Sequence, residues 1–277
     1  MIGLVADSNA QLPPELVDRY DIEVVPLTVT VDGVDHEEGV DLDADGFYAL
    51  FEEGATPTVT TSQPSPGRFA EAYARVAGKG AQEILSIHLG SAVSGTLNAA
   101  RIATGASPVP VRLVDTGTAS FGVACCVWEA AEALGRGASL AEAAAVAETM
   151  GARVGNVFVV QALDLARAGG RLRVGVEQDA TAIPVLSLVD GEIRPVGRAS
   201  DLAEAARVMA DYVTLAGESL KVAVGIADRA AAPFWEALES SLSEAPQVRE
   251  MVRYRIGPSV GAHTGPGTAG AFFYSAT

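Results

Sequence analysis

Four short polar segments interrupt the apolar pattern of the chain, and their side chains could bind an anion. They are Asp7-Ser8 and residues 60–65, 90–96 and 115–118. Three of them follow predicted strands, and open α/β sheets bind ligands at the carboxyl ends of their strands. The segment 90–96 also opens a predicted helix, so backbone amides and the hydroxyls of Ser94 and Thr96 favour an anion there. One such hydroxyl is an ordinary helix cap, but several in succession favour a binding site.

Two glycine-rich segments in the second half of the chain add an arginine and a histidine. Arg171 follows Gly169-Gly170 and could contact an anion or pair with a surface carboxylate. His263 lies within residues 261–267, where the surrounding glycines predict a turned backbone rather than an apolar helix face. We therefore consider His263 a candidate ligand-binding or catalytic residue, with a plain turn residue as the alternative.

One carboxylate-rich segment matches a metal-binding pattern. Residues 41–46, followed by Glu52, fit the EF-hand loop expression. No entering helix is predicted before Asp41, and the apolar spacing over 47–51 is that of a helix already under way. The carboxylates then favour the positive N-terminal end of that helix. We prefer this interpretation to calcium binding, and because the 3 histidines are scattered, we expect no metal.

The elements that must position these residues follow from the hydrophobic pattern. Apolar runs at 2–6, 83–89 and 111–114 alternate with helical periodicities, which predicts βαβ units and a parallel sheet. We expect one extended segment over 22–31, with a turn at Asp32-Gly33, and a loop over the Thr-, Ser- and Pro-rich residues 56–66.

The pattern changes after about residue 155. Asp190-Gly191 between two apolar runs is a strong hairpin signal, and helices follow it. The fold class is thus α/β: an N-terminal parallel-sheet α/β domain over 1–153 and a C-terminal α+β domain with a mixed sheet over 154–277.

Composition restricts the class of protein further. The 277 residues carry 19 Lys+Arg against 35 Asp+Glu, a formal net charge of −16, which disfavours nucleic acid and anionic lipid surfaces. Mean hydropathy is +0.25, yet no apolar run reaches the roughly 18 residues of a membrane span. The adjacent Cys125 and Cys126 cannot form an ordinary disulfide. With no signal peptide expected at the N-terminus, we predict a cytoplasmic protein with reduced cysteines.

Taken together, these segments resemble the DegV family of bacterial lipid-binding proteins, the fatty-acid-binding subunits of a fatty acid kinase system. The resemblance rests on blocks that occur in family order along nearly the whole chain. They are residues 5–8, 25–27, 61–65, 94–96, 114–115, 168–171, 183–191 and 256–267.

The resemblance implies a fatty acid between the two domains, with its tail in an apolar tunnel and its carboxylate held by hydroxyls and a histidine. Carried onto this chain, the carboxylate contacts are Thr61, Ser62, Ser94, Gly95, Thr96 and His263. Arg171 would lie near the tunnel mouth. A partner fatty acid kinase would phosphorylate the bound carboxylate, so the protein would be a carrier with no cofactor and no catalysis of its own.

A second class of function remains open from the residues alone. Ser94 and His263 could serve an ester or thioester hydrolase as nucleophile and base. The glycines of a nucleophile elbow are missing around Ser94, and no acid partner for His263 is evident, so binding is the preferred function.

Overall fold

The computed structural model describes residues 1–160, 173–174, 182–189 and 192–276, with only the backbone of 173–174. The described chain divides into two compact units, one of residues 1–42 and 58–153 and the other of residues 43–57 and 154–277. In these ranges no helix is long and apolar enough to cross a membrane.

The elements alternate along the chain as follows. The strands are β1 (Ile2–Asp7), β2 (Ile22–Val25), β3 (Thr28–Val31), β4 (Val34–Glu37), β5 (Val59–Ser62), β6 (Glu83–His88), β7 (Val111–Asp115), β8 (Gly155–Val159), β9 (Arg173–Val174), β10 (Ile183–Val189), β11 (Glu192–Ala199), β12 (Leu220–Ile226), β13 (Val248–Arg255) and β14 (Ala269–Ser275). The described α-helices are α1 (Pro14–Tyr20), α2 (Ala44–Ala49), α3 (Pro66–Gly78), α4 (Thr96–Ala103), α5 (Phe121–Gly135), α6 (Leu140–Met150), α7 (Leu202–Thr214), α8 (Ala232–Ser243) and α9 (Pro258–Thr264).

The first unit is built on a parallel sheet with the strand order β2-β1-β6-β7. Strand β6 is buried on both faces, as expected of a central strand with helices on either side. Helix α3 shows how the sequence covers one face: Ser65 caps it, Pro66 begins it, and Phe69, Tyr73 and Val76 form its buried stripe. The predicted N-terminal α/β fold is confirmed.

A small antiparallel sheet, β4-β3-β5, also belongs to the first unit. The predicted turn is present: Asp32 and Gly33 both have positive φ and close the β3–β4 hairpin. Two predictions here are wrong. The segment 22–31 forms two strands, in different sheets, rather than one. Residues 59–62, predicted as loop, form β5, because Val59, Thr60 and Thr61 are β-branched and fit a strand.

The second unit contains a mixed sheet with the order β13-β12-β14-β8-β10-β11-β9. Strands β10 and β11 form the predicted antiparallel hairpin, in which Val189 pairs with Glu192. The two turn residues, Asp190 and Gly191, lie outside the described residues. Apolar faces of α7 and α8 pack on this sheet around Met209, Phe234 and Leu238. The predicted α+β character with a mixed sheet is therefore confirmed.

Residues 43–57 belong to the second unit, although the sequence pattern assigned them to the first domain. Helix α2 packs against α9, where the Cα of Gly261 lies close to the Phe47 and Tyr48 rings. At the start of α2, Asp45 pairs with Arg229 at 2.5 Å and with Arg255 at 2.8 Å. The hydrogen bond from Arg229 is the main reason that the pKa of Asp45 lies below its ordinary value. Ion pairs between residues far apart in sequence leave no local signal that a boundary prediction can use.

The α2–α9 packing makes Gly261 intolerant of a side chain. A Cβ at position 261 would lie 2.5 Å from the Tyr48 hydroxyl and 2.7 Å from the Phe47 ring. We expect Gly261→Ala to lower the free energy of unfolding by about 1–3 kcal/mol, as overpacking does. The matched control is Gly78→Ala, where a Cβ meets nothing within 4 Å. Chemical denaturation measures both, and equal effects would contradict the packing described.

Candidate functional site

The segment 90–96 leaves the carboxyl end of β6 and enters α4. Its first residue is held by the neighbouring segment 115–118: the Gly90 amide donates to the Thr118 carbonyl at 2.7 Å. A Cβ at position 90 would lie 2.9 Å from the carbonyl carbon of Gly117. Glycine at 90 is therefore required by the close approach of two backbones, and two of the predicted polar segments do lie side by side.

Asp115 holds the next residue of the segment. Its carboxylate accepts the Ser91 hydroxyl at 2.5 Å and the amides of Ser91 and Gly117, both at 3.1 Å. Burial raises the pKa of Asp115, but these hydrogen bonds outweigh it and the pKa lies below its ordinary value. An ionised carboxylate thus fixes the turn.

Ser94 and Thr96 form the part of the segment that can bind an anion. Their hydroxyls lie 2.8 Å apart, and the Thr96 amide donates to Ser94 Oγ at 3.2 Å. Thr96 is buried and Ser94 is half-buried at the start of α4. When the Thr96 hydroxyl donates to Ser94 Oγ, the Ser94 proton is left to donate to a carboxylate. Ser94 Oγ then accepts two hydrogen bonds, which strengthens it as a donor.

Strand β5 brings a second hydroxyl-bearing segment to the same unit. Thr61 and Ser62 are consecutive in the strand, so their side chains point to opposite faces of the sheet. Thr61 is half-buried, whereas Ser62 is exposed. Just beyond the strand, Gln63 lies against Gly95: a Cβ there would be 2.3 Å from the amide oxygen. Gln63 therefore brings the segment 61–63 into contact with the segment 94–96. The sequence did not single out Gln63 as a site residue, although Gln63 lies within the block 61–65 on which the family resemblance rests.

His263 lies in the second unit, in the last turn of α9, and it is half-buried. The prediction of a turned backbone at this residue was wrong, since the helix continues to Thr264 before Gly265 ends it with a positive φ. Asp228 fixes the loop that follows by accepting the Gly267 amide at 2.6 Å. The many glycines in this segment indicated a turn, but Pro258 at the first helical position is a common signal for the start of a helix. Arg171 lies outside the described residues.

The EF-hand pattern does not form a metal site in the part of the chain that is described, where no group of three or more His, Cys, Asp or Glu side chains is suitably arranged. Each of its aspartates has a protein partner instead. Asp41 accepts the Glu37 amide, Asp43 caps α2 through the Gly46 amide, and Asp45 pairs with two arginines. The capping interpretation is confirmed for Asp43.

Sequence reasoning missed a chain of buried polar side chains beneath the 90–96 segment. Asp7 Oδ2 lies 3.0 Å from His88 Nδ1, and His88 Nε2 lies 2.6 Å from the Ser86 hydroxyl. Acid, imidazole and hydroxyl occur in the order of a hydrolytic triad. All three side chains are 0% exposed, so no substrate can reach Ser86. For Ser94, the described hydrogen bonds go to Thr96, which cannot act as a base.

The fold is that of a two-unit α/β protein whose parallel sheet carries the hydroxyl-bearing segment 94–96 beyond its carboxyl edge. A family model described as "uncharacterised protein, DegV family" matches residues 1–276. The chain belongs to the DegV family.

Relatives and solved structures agree with this assignment. A DegV domain-containing protein of Streptomyces coelicolor is 33% identical over 273 residues, which cover 97% of this chain and 96% of the relative. A Thermus thermophilus DegV family protein, described for its fatty acid binding, is 31% identical with a TM-score of 0.85 and 99% coverage of both chains. DegV of Bacillus subtilis, described as a fatty acid binding protein, is 26% identical with a TM-score of 0.83 and 99% coverage of both chains.

The hydrogen bonds at Asp115 generate a pH prediction. Because its pKa is lowered in the folded state, the stability it contributes is present above the unfolded-state pKa of about 3.9 and is lost as pH falls through the lower folded value. We expect Ser91→Ala to raise the pKa of Asp115, measured by NMR titration of its carboxyl carbon. Ser240→Ala, at an exposed helix position, serves as the control. An unchanged Asp115 pKa in Ser91→Ala would show that the Ser91 contact has no influence.

Proposed function

We propose that this protein binds a long-chain fatty acid and presents its carboxylate to a partner fatty acid kinase, without catalysing a reaction itself. The observation that carries the proposal is the Thr96–Ser94 hydroxyl pair, fixed at the carboxyl edge of the parallel sheet. The fatty acid binding described for the Thermus thermophilus and Bacillus subtilis proteins supports it. Thr61, Ser94, Gly95 and Thr96 are the carboxylate contacts that we propose in the first unit.

The resemblance adds three further residues to the proposal. His263 of the second unit would donate to the carboxylate, and Arg171 would contact the ligand near its point of entry. Ser62 would reach the carboxylate only if its hydroxyl turned away from the exposed face of β5. Of the two hydroxyls on that strand, we therefore favour Thr61, which is half-buried. We place the carrier in the cytoplasm, in keeping with the buried Cys125 and Cys126, which form no disulfide with any described residue.

The energetics of such a complex divide between tail and head group. Burying the tail contributes about 0.8 kcal/mol per CH₂, which favours long chains. Each hydrogen bond to the carboxylate contributes about 1.5–3 kcal/mol because the acceptor is charged. The hydroxyl donors that we propose in the first unit are neutral, so they orient the carboxylate without forming an ion pair that a kinase would have to break.

The first test asks whether the protein carries lipid. We expect denaturation and extraction of the purified protein to release a long-chain fatty acid in stoichiometric amount, identified by mass spectrometry. In delipidated protein, Ser94→Ala should weaken binding of an added fatty acid about 10-fold or more, which is the loss of one charge-assisted hydrogen bond. Ser240→Ala should bind as the parent does. Absence of both extracted lipid and binding would overturn the proposal.

The second test concerns the partner. In the proposed reaction a carboxylate oxygen attacks the γ-phosphorus of ATP, the bond to the β-phosphate oxygen breaks, and ADP leaves. We expect the loaded protein, mixed with a fatty acid kinase and ATP, to yield an acyl phosphate that hydroxylamine traps as a hydroxamate. A kinase that is active with another DegV carrier but forms no hydroxamate here would contradict the presentation step while leaving fatty acid binding intact.

A further inference from the structure

We propose that Asp7 and His88 are positioning residues that set the preference of the 90–96 segment for a carboxylate over an uncharged head group. The inference rests on the proposed function, because it concerns how the same segment recognises its ligand. Neither side chain reaches the surface: both are 0% exposed. They act through the backbone of the segment rather than by contact with a ligand.

The contacts form one continuous chain within the first unit. The Tyr73 hydroxyl lies 3.1 Å from Ser86 Oγ, Ser86 Oγ lies 2.6 Å from His88 Nε2, and His88 Nδ1 lies 3.0 Å from Asp7 Oδ2. Asp7 Oδ2 also accepts the Leu89 amide at 3.0 Å. Tyr73 and Ser86 are also 0% exposed, so water does not compete with any of these hydrogen bonds.

The direction of the hydrogen bonds is assigned from the Leu89 contact. Asp7 Oδ2 accepts that amide, and we assign it the same accepting role toward His88, whose Nδ1 then carries a proton and donates to it. Nε2 is then the acceptor of the Ser86 hydroxyl, whose oxygen accepts from Tyr73. Burial raises the pKa of Tyr73 to about 12, which keeps its hydroxyl protonated as the first donor of the chain. Each hydroxyl and ring nitrogen in it thus has a consistent role.

The chain fixes the point at which the 90–96 segment begins. Leu89 is the residue before Gly90, and its amide is held by Asp7. The His88 carbonyl accepts the Thr116 amide at 3.2 Å and the Thr116 hydroxyl at 2.8 Å. Residues 88 and 89 are therefore held from β1 on one side and from the end of β7 on the other.

The buried Asp7 carboxylate serves as an acceptor for the end of β6. An apolar pair of similar volume would avoid the cost of removing a carboxylate from water, but it would leave the Leu89 amide without its acceptor. Asp7 Oδ1 is buried and has no hydrogen-bond partner among the described residues. All of the contacts of this carboxylate that the structure describes thus go through Oδ2 to residues 88 and 89. That arrangement orients the strand end rather than satisfying the charge.

The test compares a fatty acid with the fatty alcohol of the same chain length, because the tail is then an internal control. In the delipidated parent protein we expect the acid to bind more tightly. His88→Leu should reduce the ratio of the two affinities about 10-fold while leaving alcohol binding within about twofold, since a misplaced set of donors loses one charge-assisted hydrogen bond. His88→Asn, whose amide nitrogen occupies the Nδ1 position and keeps a donor to Asp7, should restore the ratio.

The outcomes separate the inference from the proposed function. A parent protein that binds neither ligand overturns both. A parent protein that prefers the acid, with an unchanged ratio in His88→Leu or an equal loss of both ligands, overturns the positioning role alone. If His88→Leu does not fold, Thr116→Val removes one of the two hydrogen bonds that the His88 carbonyl accepts from Thr116, and the same comparison decides.

A spectroscopic measurement checks the proton assignment independently. The chain has 3 histidines, so the ring nitrogens of His88 can be assigned by comparison with His88→Asn. We expect the ¹⁵N spectrum to show His88 protonated at Nδ1, with a proton that exchanges slowly with solvent. A tautomer protonated at Nε2 would overturn the donor assignment.

Discussion

The buried carboxylate of Asp7 joins the first strand of the chain to a strand end 81 residues later. Its Oδ2 receives a ring nitrogen and a backbone amide from two consecutive residues, His88 and Leu89. A carboxylate removed from water is costly unless several donors compensate it. The end of β6 must therefore stay where the donors reach Asp7. From that point the chain runs into Gly90 and Ser91, which Thr118 and Asp115 also hold before α4 begins.

Much of the fold could be predicted because local signals and tertiary packing agree. Pro66, the buried stripe of α3 and the capping box at Ser139 and Glu142 each specify a helix from residues adjacent in sequence. The strand β6 is buried on both faces, as a central parallel strand must be. The prediction was wrong where local sequence signals and tertiary packing disagree. Threonine and proline between residues 56 and 66 indicated a loop, whereas pairing with β3 stabilises β5.

The candidate site was harder to predict than the fold because its geometry depends on contacts that spacing does not encode. The segment 94–96 was identified from its hydroxyls and its place before a helix, and its two hydroxyls do hydrogen-bond to each other. The opposite orientation of Thr61 and Ser62 follows only once β5 is known to be a strand. The polar segment Asp7-Ser8 was expected at the ligand-binding end of a strand, yet the Asp7 side chain is fully buried. No pattern in the sequence links it to His88.

The formal net charge of −16 determines how an anion can be recognised on such a surface. The field of the protein repels a carboxylate at long range, but at physiological ionic strength this repulsion decays within about 8 Å. Recognition must then come from apolar contact and from donors in direct contact with the ligand. In the function that we propose, the hydroxyls at 94–96 meet that need, because they can donate hydrogen bonds without adding a charge that the neighbouring carboxylates would neutralise. Donors of this kind are effective only when held in place, and Asp115 and Asp7 supply the hold through backbone amides. The proposed site is therefore consistent with the acidic composition, because its donors need position rather than charge.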